Sequence, residues 1–282
     1  MVFLQKLAGP LLIGYLLNLC LLGVLFVQVF IYSVAFNKPN ARDNIGLKLI
    51  VYVVVCLEVI QSAFILRDAF VTFAEEYGTP TRLNNIQFTW LTMPVLSGLV
   101  SCIVQSFYAF RIHVLAGSSY VLPTFIVLLA VTQCVASIAV GIDEHNTHES
   151  NVFTQVGVVG NYIWPIVSTI CDIIIVFAMT YYIMKTNRRL NDSHTGRRSP
   201  QPTNIILCRA LHLTVETGAL TATISLLYFV LWFFYPLYYY HMTFAFIMGK
   251  VYANSLMVAF NSRVLISDLR DNPRFLGNIE SV

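Results

Sequence analysis

Seven stretches of the chain are apolar almost without interruption: Gly9–Phe36, Leu47–Phe70, Thr89–Ile112, Tyr120–Ile142, Val156–Met184, Ile205–Tyr235 and Met242–Val264. A helix needs roughly 20 apolar residues to cross the hydrocarbon core of a bilayer. Each stretch is long enough, and polar residues cluster between them. The pattern predicts an all-α fold, an integral membrane bundle of seven transmembrane helices over residues 1–265. A short tail follows at 266–282. No internal repeat and no separate soluble domain is visible.

Composition sharpens this picture. Of the 282 residues 57% are hydrophobic and only 11% charged, and mean hydropathy is +0.71. A soluble domain is nearer one quarter charged. The opening MVFLQKLAGP runs straight into the first apolar stretch with no small-residue cleavage site, so the first helix is expected to be retained. Of the six cysteines, Cys20, Cys56, Cys102, Cys134 and Cys171 lie inside apolar stretches and Cys208 at the edge of one. None pairs in a CxxC, which argues for small buried hydrophobes over a disulfide framework or thiolate metal site.

The placement of Lys and Arg predicts orientation. With the N-terminus outside, the inner connections hold thirteen of the seventeen basic residues, and the outer side holds only Lys6, Arg67 and Arg82. The remaining one is Lys250, inside the seventh stretch. The C-terminus is therefore expected in the cytoplasm, and the plasma membrane is the expected location. Trp90, Trp164 and Trp232 all fall in the outer halves of their spans, as an outer aromatic belt would.

Charges inside the spans are the main chemical signal. One at the centre of a helix costs about 2.5–3.5 kcal/mol on an insertion scale, so such residues face the bundle and find partners. Lys250 lies roughly 12 Å below the outer edge of its span. Its side chain reaches about 6 Å, too short to snorkel out. Thr243, Lys250, Asn254 and Asn261 fall within about 40° of one another, giving the seventh span one polar stripe. Glu58, flanked by Gln61 and Ser62, sits at a similar depth in the second span and is the expected partner of Lys250. Asp172, one turn after Ser168, has Gln105 and Gln133 as candidate partners. Together Glu58, Gln61, Asp172, Lys250 and Asn254 form the candidate intramembrane polar network or ligand site. Nearer the inner face, Glu216 with Arg209 or Arg111 is the candidate coupling cluster. The structural alternative at every one of these positions is an ion pair or hydrogen bond that only fixes packing.

Other motifs say less. Gly98, Cys102 and Ser106 on the third span, and Gly218 and Ala222 on the sixth, mark faces for close helix contact. The inner segment Lys185–Asn204 is basic and reads as a loop that could meet anionic lipid, with Ser199 in RRSP as a regulatory phosphosite. The outer segment DEHNTHES, Asp143–Ser150, reads as a solvated loop; its His145 and His148 are spaced HxxH, not HExxH, and no metal is assigned. A retinal Schiff base on Lys250 is disfavoured. Phe246 stands one turn before it, where microbial rhodopsins carry an aspartate, and the third span has no acid. No nucleophile–base pair is present, so no enzyme activity and no cofactor are expected.

GPLLIGYLLN near the start, VQSFYAFRI at the end of the third span, LTVETGALTA in the sixth and KVYANSLMVAFNSR in the seventh resemble an uncharacterised family. Its members are seven-span membrane proteins, a domain of unknown function abundant in mushroom-forming (basidiomycete) fungi. The resemblance implies a membrane location and a fungal source, and no activity. The analogy with G-protein-coupled receptors is confined to topology: Phe110 precedes Arg111 where those receptors carry an acid, and no NPxxY follows Asn254. The expected function is that of a receptor-like sensor for an unknown small ligand, with a cytoplasmic signalling partner. The alternatives are a transporter or channel using Glu58, Asp172 and Lys250, or a structural membrane protein without ligand.

Overall fold

The computed structural model describes residues 2–36, 45–75, 88–117, 119–150, 155–192, 202–235 and 240–271. All regular structure among them is helical. Seven helices follow in order: α1 Val2–Phe36, α2 Ile45–Phe70, α3 Ser97–Ala116, α4 Val121–Ser150, α5 Gln155–Asp192, α6 Pro202–Phe234 and α7 Tyr240–Asp271. All seven are long and apolar enough to cross a membrane. A π-helical turn, Val71–Glu75, extends α2, and another, Leu91–Leu96, leads into α3. Gly117 ends α3 in the left-handed conformation at φ 66°, which glycine adopts without a Cβ penalty.

The helices outrun the apolar stretches at several ends. DEHNTHES is no loop: its backbone continues α4 to Ser150. The basic segment after Lys185 is likewise helical as far as Asp192, and α6 begins at Pro202. Neither segment contains a proline or glycine breaker at its start, so backbone hydrogen bonding carries the helix past the last apolar residue. Ser199 lies outside the described residues, as do 272–282 of the tail; residues 266–271 belong to α7.

α7 is the most enclosed element. In its membrane-crossing window 83% of residues are buried, against 67% for α3 and 22% for α6. It is also the least apolar of the seven. The two facts belong together: a helix shielded by protein can carry polar side chains that a lipid-facing helix cannot. α7 packs most extensively on α1 and α6, and also meets α3 and α2. It runs parallel to α1 in a fixed register. Thr243 Oγ1 donates to the Pro10 carbonyl at 2.7 Å, Asn254 Nδ2 to Leu21 O at 3.2 Å and Asn261 Nδ2 to Gln28 O at 3.0 Å, each pair 233 residues apart. Glycines permit the closest approaches. A Cβ on Gly14 would lie 2.8 Å from Phe246 Cδ2, and one on Gly98 would overlap the Ser137 side chain of α4. Gly218, by contrast, leaves ordinary contact distance to Val176.

Candidate functional site

Lys250 of α7 and Glu58 of α2 form a salt bridge, and both side chains are fully buried. Lys250 Nζ also donates to the Glu58 backbone carbonyl at 3.0 Å. The charge of each is thus met by the other inside the bundle. Around them the bonds spread to three more elements. Ser62 Oγ reaches Glu58 O at 2.9 Å and Asn18 Oδ1 of α1 at 3.2 Å. Asn18 Nδ2 donates to Phe246 O of α7 at 2.7 Å. Asn254 Nδ2 is shared between Lys250 O at 2.8 Å and Leu21 O. Gln61 Nε2 donates to Thr92 O at 2.7 Å and to Ser97 Oγ at 2.9 Å.

The last contact depends on the distorted approach to α3. Pro94 has no N–H, and the π turn that holds it redirects the carbonyls of that segment. Thr92 O accepts from Gln61 and, at 3.3 Å, from Ser97 Oγ. Trp90 O, which an N–H at position 94 would otherwise meet, lies beside Gly141 of α4, whose Cβ would come within 2.8 Å of it.

Besides Asn254 Oδ1, two oxygens of this network, Glu58 Oε1 and Gln61 Oε1, have no hydrogen-bond donor among the described residues. Both face Gly249: a Cβ there would sit 2.7 Å from the first and 3.0 Å from the second. Gly249 therefore lets α7 pass close to the acidic face of α2, and a side chain at that position would press on the ion pair.

Asp172 belongs to a second network. Its Oδ1 accepts from Gln105 Nε2 of α3 at 2.9 Å, and its Oδ2 from the Tyr252 hydroxyl of α7. Ser168 Oγ lies 3.3 Å from that hydroxyl. Gln133 Nε2 of α4 donates to Gln105 Oε1 and, at 3.2 Å, to Ser101 Oγ. Four helices are thus linked through one carboxylate. The residues that sequence grouped as a single site fall on opposite faces of α7, because Lys250 and Tyr252 are two positions apart and so about 200° apart around the helix. Glu58, Gln61, Lys250 and Asn254 cluster on the α1–α2 side; Asp172 stands on the α3–α5 side.

Glu216 is exposed on α6, Arg111 is half-buried on α3, and the Arg209 side chain lies outside the described residues. The His145 ring lies 4.6 Å from that of Trp90, tilted by 43°, while the His148 side chain is outside the described residues. Among the described residues no group of three or more His, Cys, Asp or Glu is placed to hold a metal ion. The described cysteines are free thiols.

Residues 168–264 match the model of a family of unknown function, DUF6534. The matched segment runs from Ser168 in α5 through α6 and most of α7, and so carries Asp172, Lys250, Tyr252 and Asn254. It includes LTVETGALTA and KVYANSLMVAFNSR; GPLLIGYLLN and VQSFYAFRI precede it. No curated protein and no solved structure matches the chain.

Proposed function

We propose that this multi-pass membrane protein is a receptor-like sensor in which α7 is the switching element. The N-terminus faces outward and the C-terminus the cytoplasm of a fungal cell, at the plasma membrane; the Lys and Arg asymmetry and the resemblance to fungal seven-span proteins support this setting. One observation carries the reading: the most enclosed helix holds two buried polar networks on opposite faces, one to α1 and α2, the other to α3 and α5. Removing two charges from water costs several kcal/mol per ion, and apolar side chains of similar size pack as well or better. A purely mechanical bundle has little use for such a pair. A helix held by discrete polar contacts on both faces has two arrangements available, bonded and released, and a ligand that favours one shifts the population.

The test is a thermal-shift screen of the protein in nanodiscs against lipophilic small molecules, followed by lysine footprinting. A sensor yields a compound that raises the melting temperature and alters the reactivity of Lys185, two turns before the end of α5. Finding neither effect across the screen, together with proton or cation flux in proteoliposomes that Glu58→Gln abolishes, would establish a transporter instead. The donor-free Glu58 Oε1 and Gln61 Oε1 are the feature that favours that second reading.

A further inference from the structure

We propose that the groove between α1 and α2 seats an acyl chain of a membrane phospholipid, with the lipid phosphodiester on Arg67. The groove encloses about 790 Å³ and is walled by Leu12, Leu16 and Leu19 of α1 and by Leu66 and Phe70 of α2. That volume is within the range of about 300–1,000 Å³ typical of small-molecule sites. Among the described residues of its lining, Arg67 is the only charged one. It is exposed on α2, within a membrane-crossing helix, where a cation requires an anionic or polar partner.

The guanidinium position identifies the head group. Its carbon lies 4.6 Å from the centre of the Phe88 ring. Phe88 immediately precedes the helical approach to α3, so the stacked guanidinium is held toward the end of the bundle, at the depth of lipid head groups. The Arg67 side chain remains exposed in this position, and a guanidinium can form bidentate hydrogen bonds to a phosphate. Among the described residues Arg67 forms no ion pair. The neighbouring Asp68 feels its charge, yet is turned into the bundle and only 3% exposed. An acyl chain descending from a phosphate on Arg67 enters the groove directly. Recognition is of the phosphodiester and not of net lipid charge, so zwitterionic and anionic phospholipids both qualify. The inference stands independently of the sensor reading.

Native mass spectrometry of the delipidated protein tests it, with added dioleoyl-phosphatidylcholine, dioleoyl-phosphatidylglycerol and dioleoylglycerol. Both phospholipids are expected to give a retained 1:1 adduct, and dioleoylglycerol, with the same chains and no phosphate, none. Arg67→Gln removes charge-assisted hydrogen bonds and is expected to weaken retention about tenfold. Leu16→Trp, at an exposed position, fills the groove and is expected to do the same without unfolding the protein. Equal retention by Arg67→Gln and the parent would overturn the proposal, as would equal binding of dioleoylglycerol or displacement of the phospholipid by a sterol.

Discussion

Lys250→Met is expected to be the most damaging conservative change in the bundle. Lys250 Nζ holds two acceptors, Glu58 Oε2 and the Glu58 carbonyl, and both residues are wholly buried. Without the ammonium, Glu58 keeps a buried carboxylate with no donor on either oxygen among the described residues, since Oε1 has none there even in the parent. Leaving one member of a buried pair costs about 3–5 kcal/mol. Glu58→Gln is milder, about 2–3 kcal/mol by the same reasoning. Its amide oxygen and the backbone carbonyl still accept from Lys250, and its NH2 group can turn toward Gln61 Oε1. The double variant removes both charges and is expected to recover to within about 1–2 kcal/mol of the parent. Thermal unfolding in nanodiscs, followed by tryptophan fluorescence, provides the cycle. At about 2–4 °C per kcal/mol, Lys250→Met should lower the midpoint by on the order of 10 °C. If it melts with the parent, or if the two single losses simply add in the double variant, the ion pair is not what holds α2 to α7.

Two further predictions concern the other contacts. Tyr252→Phe deletes the hydroxyl that donates to Asp172 and is expected to destabilise by about 1–3 kcal/mol, measured in the same melting assay; no loss would mean that Asp172 does not depend on α7. Gly98→Ala places a methyl group against Ser137 and is expected to cost about 1–3 kcal/mol, with Ser137→Gly in the same chain restoring most of it; failure of that rescue would show that the α3–α4 approach is not limiting.

The helical architecture was legible because a bilayer imposes a length and a composition that few soluble segments share. The pairing of Glu58 with Lys250 was legible too, from the high cost of an unpaired charge and the matching depth of the two residues. What escaped depended on geometry that no pattern records. Asn18 is a single polar residue in an apolar run, and nothing in that pattern marks it as the bridge between Ser62 and the Phe246 carbonyl. Tyr252 lies off the polar stripe of the seventh span, so the pattern does not mark it as a partner for a carboxylate. The Thr92 carbonyl became an acceptor for Gln61 in a π turn around Pro94, a backbone distortion that residue types alone do not specify. The division of the polar residues into two networks was implicit in the two-residue spacing of Lys250 and Tyr252, but only once Tyr252 was known to partner Asp172. Helix ends were the least legible, because DEHNTHES carries the polar composition of a loop while its backbone continues α4.

The role of α7 as the switching element is tested most directly by a distance measurement. Spin labels at Arg188 on α5 and Arg263 on α7, with the native cysteines replaced by alanine, report the position of α7 by pulsed electron resonance; a control pair at Val121 on α4 and Arg188 reports the rest of the bundle. Releasing one clamp with Lys250→Met is expected to move the α5–α7 distance by about 2 Å or more and leave the control pair unchanged. Identical distributions in parent and variant, or equal broadening of both pairs, would contradict the account.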